Sequence, residues 1–528
     1  MARVASTVAQ LALLLVVLAG LAARLADLPT YMPDSGDEWG NTIAPLHMLY
    51  AGGDPGTFLH PSLYYDVTAA AYAAVNGVVH ALGHVDRTLS MADLLVLDER
   101  YFVFTARAVS LLGAVLAMAA LYALGRRLWN GVSGMAAAAL LAVLPLHAVY
   151  SQTARVDSLF LAVFLFALLA IVRTLDDPRR AAADTAAALT GLAIGTNYNG
   201  AILLPWLFAA LWLRPAPVAG RDLRRAALLA VAAFLVANPF VLFNASAFIR
   251  HVGFIASLST DVNPGMEGRG PLFYVTELAQ TEPLLTAAIA AAALLTALVG
   301  NRAERFVLSL ALAYLAVFSL VETKFDRFIL PAMALFALVV AGAPSMLGRR
   351  LAAYRAIRAG AVALAGGLVV ACLATLAPRA IPVPRHEMLA RPDGALFDWI
   401  GSHVPPHSTI LVEAGIVPLL DLQGDPSPLS DALRESLVRV RPGLDQQFIR
   451  ASFVGGVINY GPTVLADRGI DFVVISRRNL QYIPHQCDAF PDVCALYQQL
   501  REHGRVVYDT PIGIEPVSVY AVDRPAPG

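Results

Sequence analysis

Residues 8–39 read VAQLALLLVVLAGLAARLADLPTYMPDSGDEW: an apolar run over 8–26, then Asp34, Asp37 and Glu38 a few residues further on. The run is long enough to cross a hydrocarbon core of about 30 Å. Carboxylates just where a chain leaves the membrane are costly near lipid and useless as anchors, so they mark a functional site. The first 26 residues have the look of a signal peptide, but the apolar core is long and no small-x-small cleavage motif stands out. A retained signal anchor is the expectation.

The same apolar pattern recurs along the chain. Of 528 residues, 58% are hydrophobic and 15% charged, with a mean hydropathy of +0.63. A soluble domain of this size does not need so much apolar surface, and the pattern predicts a polytopic α-helical membrane protein. The formal net charge of -1 gives no footprint for nucleic acid as a partner.

Further apolar runs occupy 62–83, 103–124, 133–150, 158–172, 184–196, 200–213, 226–243, 283–299, 306–321, 328–346 and 360–378. Arginine placement sets their orientation. Clusters fall at Arg126-Arg127, at Arg173 with Arg179-Arg180, at Arg221 with Arg224-Arg225, at Arg302 with Arg305, and at Arg349-Arg350 with Arg355 and Arg358. All lie on one side if 62–83 does not span, and that side is then cytoplasmic. Within 62–83, Pro61 suits a first helical turn, and Tyr65, Thr68, Tyr72, Asn76 and His80 recur at helical spacing opposite an alanine and valine face. That pattern predicts a helix lying in the interface, with an ordinary buried helix carrying a polar seam as the alternative. The count is then about eleven spanning helices within a transmembrane domain of residues 1–380, with the amino terminus cytoplasmic and the carboxyl end outside. Residues 27–102 form an extracytoplasmic first loop with interfacial helices.

Composition changes near Pro382, where Ile381-Pro382-Val383-Pro384 reads as a stiff linker. Beyond it, β-like runs at Thr409–Glu413, Asp471–Ser476, Arg505–Tyr508 and Val517–Val522 alternate with helical stretches at Ala395–His403 and Val493–His503. Residues 385–528 are therefore expected to form a soluble extracytoplasmic α/β domain. Its Cys487 and Cys494 are compatible with a disulfide in an oxidising compartment, though spacing alone does not assign one.

The outward helix ends collect the remaining polar residues. They are Asp37-Glu38, then His60-Pro61-Ser62-Leu63-Tyr64-Tyr65, then Arg155-Val156-Asp157, then Asn197-Tyr198-Asn199, and last Glu322-Thr323-Lys324-Phe325-Asp326-Arg327. Cations snorkelling to lipid phosphates would favour the opposite, cytoplasmic face. Carboxylates within two or three residues of each cation point instead to a polar site for an anionic lipid substrate.

With these motifs in this order, the sequence resembles the GT-C glycosyltransferases, in particular the branch of the protein O-mannosyltransferases and the lipid A aminoarabinose transferases. Asp37-Glu38, His60-Pro61-Ser62-Leu63-Tyr64, Arg155-Val156-Asp157 and Lys324-Phe325-Asp326-Arg327-Phe328-Ile329-Leu330-Pro331 carry the resemblance. The tail, with Asp398-Trp399-Ile400 and Gly469-Ile470-Asp471-Phe472-Val473-Val474-Ile475-Ser476, resembles the exported domain of bacterial members. The resemblance implies a hexosyl- or pentosyltransferase of the bacterial inner membrane. It would move a sugar, with inversion, from a polyprenyl-phosphate donor to a hydroxyl of a glycan, lipid or protein acceptor on the outer face.

On that mapping Asp37 is the general base and Glu38 its neighbour in the catalytic pair. His60, Arg155, Asp157, Lys324 and Arg327 bind the donor and its phosphate, and Tyr64, Tyr65, Asn197 and Tyr198 line the groove. No cofactor is required; a divalent cation held by carboxylates is compatible with the pattern. The chain departs from the family in having His60 where lysine is common, and Asn197 where a lysine often stands. Two rivals remain at this point. A transporter or flippase of polyprenyl-linked glycans would put its charges nearer the midplane, with internal repeats. An inactive relative would only bind envelope glycans.

Overall fold

The computed structural model describes residues 2–28, 36–215, 217–257, 260, 269–380, 392–413, 427–441, 443–444, 446–450, 453–454, 457–458, 461–476, 480, 487, 491–509 and 517–522. Asp34 and the linker Ile381-Pro382-Val383-Pro384 lie outside the described residues.

The helices in chain order are α1 (Ala2–Asp27), α2 (Gly36–Tyr50), α3 (Leu63–Ala81), α4 (Met91–Leu97), α5 (Arg100–Leu128), α6 (Gly131–Val143), α7 (Pro145–Gln152), α8 (Val156–Thr174) and α9 (Arg180–Thr196). There follow α10 (Leu203–Leu213), α11 (Gly220–Ala237), α12 (Phe240–Phe243), α13 (Ala245–Ser257), α14 (Phe273–Thr281), α15 (Pro283–Val299), α16 (Arg302–Leu320), α17 (Leu330–Arg350) and α18 (Arg355–Ala380).

Among the described residues, six segments are long and apolar enough to cross a membrane: Ser6–Ala26, Arg100–Leu128, Val156–Thr174, Arg302–Leu320, Asp326–Arg350 and Arg355–Ala380. Helices α6 and α7 together make a further candidate, bent by 66° at the break between them. Pro145 causes the break, because it has no N–H to continue the helical ladder and disfavours a helical residue before it. Tyr198–Leu213 and Pro283–Val299 are apolar but shorter. The expected spans 184–196 and 226–243 fall on α9 and α11, which do not meet the same measure. The protein is a multi-pass helical membrane protein.

The chain divides into two compact units. The first holds Met1–Leu28, Pro55–Thr68 and Arg107–Val383; the second holds Pro29–Asp54, Ala69–Ala106 and Pro384–Gly528. Parts of the first loop are thus grouped with the carboxyl-terminal domain.

In the first unit, close helix packing depends on missing side chains. A Cβ on Gly113 of α5 would lie 2.6 Å from the Leu159 amide of α8, and one on Gly191 of α9 would overlap the Ala230 carbonyl of α11. Small residues let helix backbones approach where lipid offers no hydrophobic drive for association. Two buried charged groups of the interior are paired. The fully buried Arg24 of α1 donates to Ser151 Oγ at 2.7 Å and to the Gly20 carbonyl at 2.9 Å. Buried Glu304 closes a capping box with Asn301 at the start of α16 and takes two bonds from Arg349 at 2.7 and 2.8 Å.

In the second unit, strands β1 (Thr409–Val412), β2 (Gln447–Arg450), β5 (Phe472–Ser476), β6 (Arg505–Asp509) and β7 (Val517–Ala521) form one sheet in the order β2-β1-β5-β7-β6. β3 (Phe453–Val454) and β4 (Val457–Ile458) pair separately. β1 is parallel to both neighbours and β7 antiparallel to both of its own. The helix Pro491–His503 covers the sheet with Val493, Leu496, Tyr497 and Leu500, against Leu411, Val473 and Ile475. Cys487 and Cys494 are joined as a disulfide.

Helices α2 and α4 of the first loop pack on the helix Pro428–Val440 of this domain. Asp93, fully buried in α4, caps its own helix through Ser90 and forms an ion pair with Arg439 of the helix Pro428–Val440. Burial alone would raise this carboxyl, but the bonds from Arg439 and Ser90 outweigh it and pull the pKa down to about 2.

Candidate functional site

Asp37 and Glu38 occupy the first turn of α2, where unpaired backbone N–H groups favour negative charge. The two carboxylates differ in exposure: Asp37 is exposed, whereas Glu38 is fully buried and followed by buried Trp39. Thr42 Oγ1 donates back to the Glu38 carbonyl at 2.9 Å, and Tyr72 of α3 donates from its hydroxyl to the Thr42 carbonyl at 3.0 Å. The α2 turn is therefore held from α3 within the second unit. The polar-aromatic stripe of α3 is its buried face, with Tyr65, Thr68 and Tyr72 all inaccessible, while Val78 on the other side is 55% exposed.

The other expected residues belong to the first unit. The stretch before α3 is pinned from several helices. Ser62 donates from its hydroxyl to the Ala237 carbonyl at 2.9 Å, and its amide donates to Asn238 Oδ1. Asn238 is buried and also donates to the Phe234 carbonyl at 2.9 Å. Tyr198 donates to the Phe58 carbonyl at 3.0 Å, and the Phe58 amide donates to His251 Nδ1, also at 3.0 Å. That last bond needs a neutral imidazole; burial, with Arg250 beside it, holds His251 below its usual range. Asn197 caps the short helix Tyr198–Ile202 by accepting from the Asn199 amide at 3.0 Å. Asn197 and Tyr198 thus have defined structural tasks, and His60 is half-buried.

Ser110 of α5 joins α3 to Arg155. Its hydroxyl donates to the Arg155 carbonyl at 3.0 Å, accepts from the Arg155 amide at 3.1 Å and meets the Tyr64 hydroxyl at 3.3 Å. Tyr64 and Tyr65 pack edge to face at 6.0 Å. The Arg155 guanidinium lies over the Tyr150 ring, 5.6 Å from its centroid. Tyr150 also feels the charges of Asp157, Arg327 and Asp326. Asp157 is itself buried in the first turn of α8. The Arg327 guanidinium stacks over Phe325 at 4.1 Å.

The loop carrying Lys324 and Arg327 is fixed through its backbone. Arg269 donates to the Lys324 carbonyl at 2.9 Å, and Tyr274 donates to the Phe325 carbonyl at 2.9 Å. Burial pushes the Tyr274 hydroxyl up, and Asp326 adds to this, so it remains a donor at neutral pH. Lys324 is buried, and its ammonium donates to the Val321 carbonyl of its own turn. Tyr314, also fully buried, lies within the field of Asp157, and its hydroxyl has no hydrogen-bond partner among the described residues.

Sequence reasoning named Tyr64, Arg155, Asp157 and Arg327, and these come together here. It missed Ser110, Tyr150, Asn238, Arg269 and Tyr274, which hold them. These are ordinary residue types inside or beside apolar runs, with no local pattern to single them out. It also missed Asp66 in the first turn of α3, a half-buried carboxyl raised by burial to about 6 against a hydrogen bond from Ser62. Its place directly after Tyr64-Tyr65 was the available signal. Among the described residues, no group of three His, Cys, Asp or Glu is placed to hold a metal ion.

Comparison with known proteins bears on this arrangement. Residues 102–243 match the family described as dolichyl-phosphate-mannose-protein mannosyltransferase. No curated protein matches the chain in sequence. Among solved structures, the chain is similar to ArnT from Cupriavidus metallidurans bound to undecaprenyl phosphate, with a TM-score of 0.54 and 16% identity over 96% of this chain and 97% of that one. The apo state of the same protein gives a TM-score of 0.54 at 15% identity, with the same shares of each chain covered. An oligosaccharyltransferase from Archaeoglobus fulgidus in complex with Zn and sulfate gives 0.52 at 13% identity, over 96% of this chain and 72% of that one. The fold is that of the GT-C glycosyltransferases, in agreement with the resemblance carried by the motifs.

Proposed function

We propose that this protein is an inverting glycosyltransferase that moves a sugar from a polyprenyl-phosphate donor to an acceptor hydroxyl at the outer face of a bacterial inner membrane. The observation that carries the reading is the GT-C fold combined with an exposed Asp37 beside a buried Glu38 at the start of α2.

In this reading Asp37 takes the proton of the acceptor hydroxyl as its oxygen attacks the anomeric carbon. The bond from that carbon to the phosphate oxygen breaks, and polyprenyl phosphate leaves with the electron pair. Glu38, being buried, holds the turn that presents Asp37. Negative charge grows on the leaving phosphate, and Arg155 and Arg327 stabilise it more in the transition state than in the ground state. Arginine suits this task because its planar fork binds two phosphate oxygens. Lys324 contributes a buried positive charge to the loop that carries Arg327. Because side-chain cations carry the counter-charge, this reading requires no divalent ion.

The test is turnover of purified protein with a panel of polyprenyl-phosphate sugars and an envelope extract, read as released polyprenyl phosphate. Release from at least one lipid-linked donor, with no sugar transferred to the extract from the matching sugar nucleotides, is the expected result. A donor that binds, and is moved across a vesicle bilayer without being cleaved, would overturn the reading in favour of a transporter.

A further inference from the structure

The end of the first unit away from Arg155 and Arg327 carries a second feature that the transfer chemistry does not use. Between the amino-terminal halves of α1 and α6, the last turns of α17 and the stretch of α18 from Arg355 to Leu373 lies a cavity of about 1430 Å³. That exceeds the roughly 300–1,000 Å³ of ordinary small-molecule pockets. One wall is a stripe of α18 at helical spacing, Val362, Gly366, Val369 and Leu373, faced by Ala9 and Leu13 of α1. The lining includes Arg349, Arg355 and Arg358, and among the described residues no carboxylate lines the cavity.

The three arginines are not equivalent. Arg349 is committed to Glu304. Arg355 and Arg358 are exposed and form no ion pair among the described residues. The neighbouring polar groups satisfy one another: Asn130 Nδ2 donates to Ser345 Oγ at 2.8 Å, and the Ser133 and Ser345 hydroxyls meet at 2.8 Å. The two guanidiniums are therefore the groups left to take a ligand. The apolar windows of α1 and α18 are only 11% and 17% buried by protein, so lipid must cover them.

We propose that this groove binds an anionic glycerophospholipid, its phosphate on Arg355 and Arg358 and an acyl chain along the Val362, Gly366 and Val369 face. Apolar walls ending in unpaired arginines match such a lipid in both parts, and basic pockets between spanning helices bind anionic headgroups. The positive-inside bias assigns it to the cytoplasmic leaflet. The donor lipid does not meet the same need. Helix α17 runs from the Arg327 loop to Arg349, and its 21 residues put the two ends about 30 Å apart. A donor phosphate in this groove would be out of reach of Arg155 and Asp157.

The experiment is native mass spectrometry of the full chain titrated with phosphatidylglycerol or phosphatidylcholine of matched acyl chains. Wild type should retain phosphatidylglycerol at least about fivefold more tightly, and R355Q/R358Q should bring the ratio to about one. R355K/R358K should restore part of the preference, because a point charge still attracts phosphate. Gly366→Trp, at a position where a Cβ meets nothing within 4 Å, should weaken both lipids by blocking the acyl path. Equal retention of the two lipids by wild type would overturn the proposal, as would an unchanged preference in R355Q/R358Q. One-for-one displacement of phosphatidylglycerol by undecaprenyl phosphate would overturn it too, by assigning the groove to the donor lipid.

Discussion

At the scale of single residues, burial divides labour between like groups. Asp37 and Glu38 are adjacent carboxylates in one helical turn, yet only Asp37 is exposed. Asp66 is a third acid with its own signature, because burial raises it to about 6. The sign of its effect on stability follows from proton counting. Between the unfolded value near 3.9 and about 6, the folded state holds more protons than the unfolded one, so stability falls as pH rises through that window. Thermal unfolding of detergent-solubilised protein should therefore show wild type losing stability from pH 4 to 7 relative to Asp66→Asn. After allowance for partial exposure, the difference should be on the order of 1–2 kcal/mol at pH 7. Parallel profiles for the two proteins would remove burial of a charged Asp66 as the cause. Ser110 acts through others: Ser110→Ala breaks its bonds to Tyr64 and Arg155. Transfer should slow about tenfold or more through misplacement of Arg155, with donor binding changing less than turnover. Steady-state kinetics would separate the two effects.

At the scale of elements, α4 and the helix Pro428–Val440 are tied by the Asp93–Arg439 pair. Arg439→Ala leaves Asp93 buried without its guanidinium partner, which should cost about 1–3 kcal/mol locally. Hydrogen exchange should then rise in 91–97 and 428–440 and stay near wild type in α8. Because Asp93 is held down to about 2, its contribution is present in full above about pH 4 and is lost only as pH falls toward 2. Such pairings were the least legible part of the sequence. The six long apolar helices could be read from apolar runs, and the sheet from β-like runs that match β1, β5, β6 and β7 to within a residue or so. By contrast, β2 at Gln447–Arg450 and the helix Pro428–Val440 were missed. The strand is only four residues long, and the helix is an ordinary amphipathic piece whose partner, α4, is more than 300 positions away. Long-range pairing leaves no periodic trace in a single chain.

At the scale of the whole molecule, the sequence displays its arginine clusters openly between apolar runs, and several of them are ion-paired, as in Arg127–Asp176, Arg225–Asp184 and Arg349–Glu304. The proposed orientation makes the carboxyl-terminal domain extracytoplasmic, and its cysteines test this. Cys372 is buried, and Cys487 and Cys494 are paired. In intact cells a membrane-impermeant maleimide should label nothing until an impermeant reductant is added, and should then label both Cys487 and Cys494. Labelling that requires membrane permeabilisation would place the domain on the cytoplasmic side. The sequence also pointed to the site's charged members, because charges beside apolar runs are conspicuous. It could not show that Lys324 turns its ammonium onto its own backbone, or that Asn238 pins the entry to α3.

The account rests most directly on Asp37 as the base. The decisive measurement is the rate of polyprenyl phosphate release from a productive donor by Asp37→Asn beside wild type, with donor binding measured on the same samples. A loss of about 10²–10⁴-fold in rate with donor binding retained is the predicted result. Turnover of the variant at the wild-type rate would contradict the account.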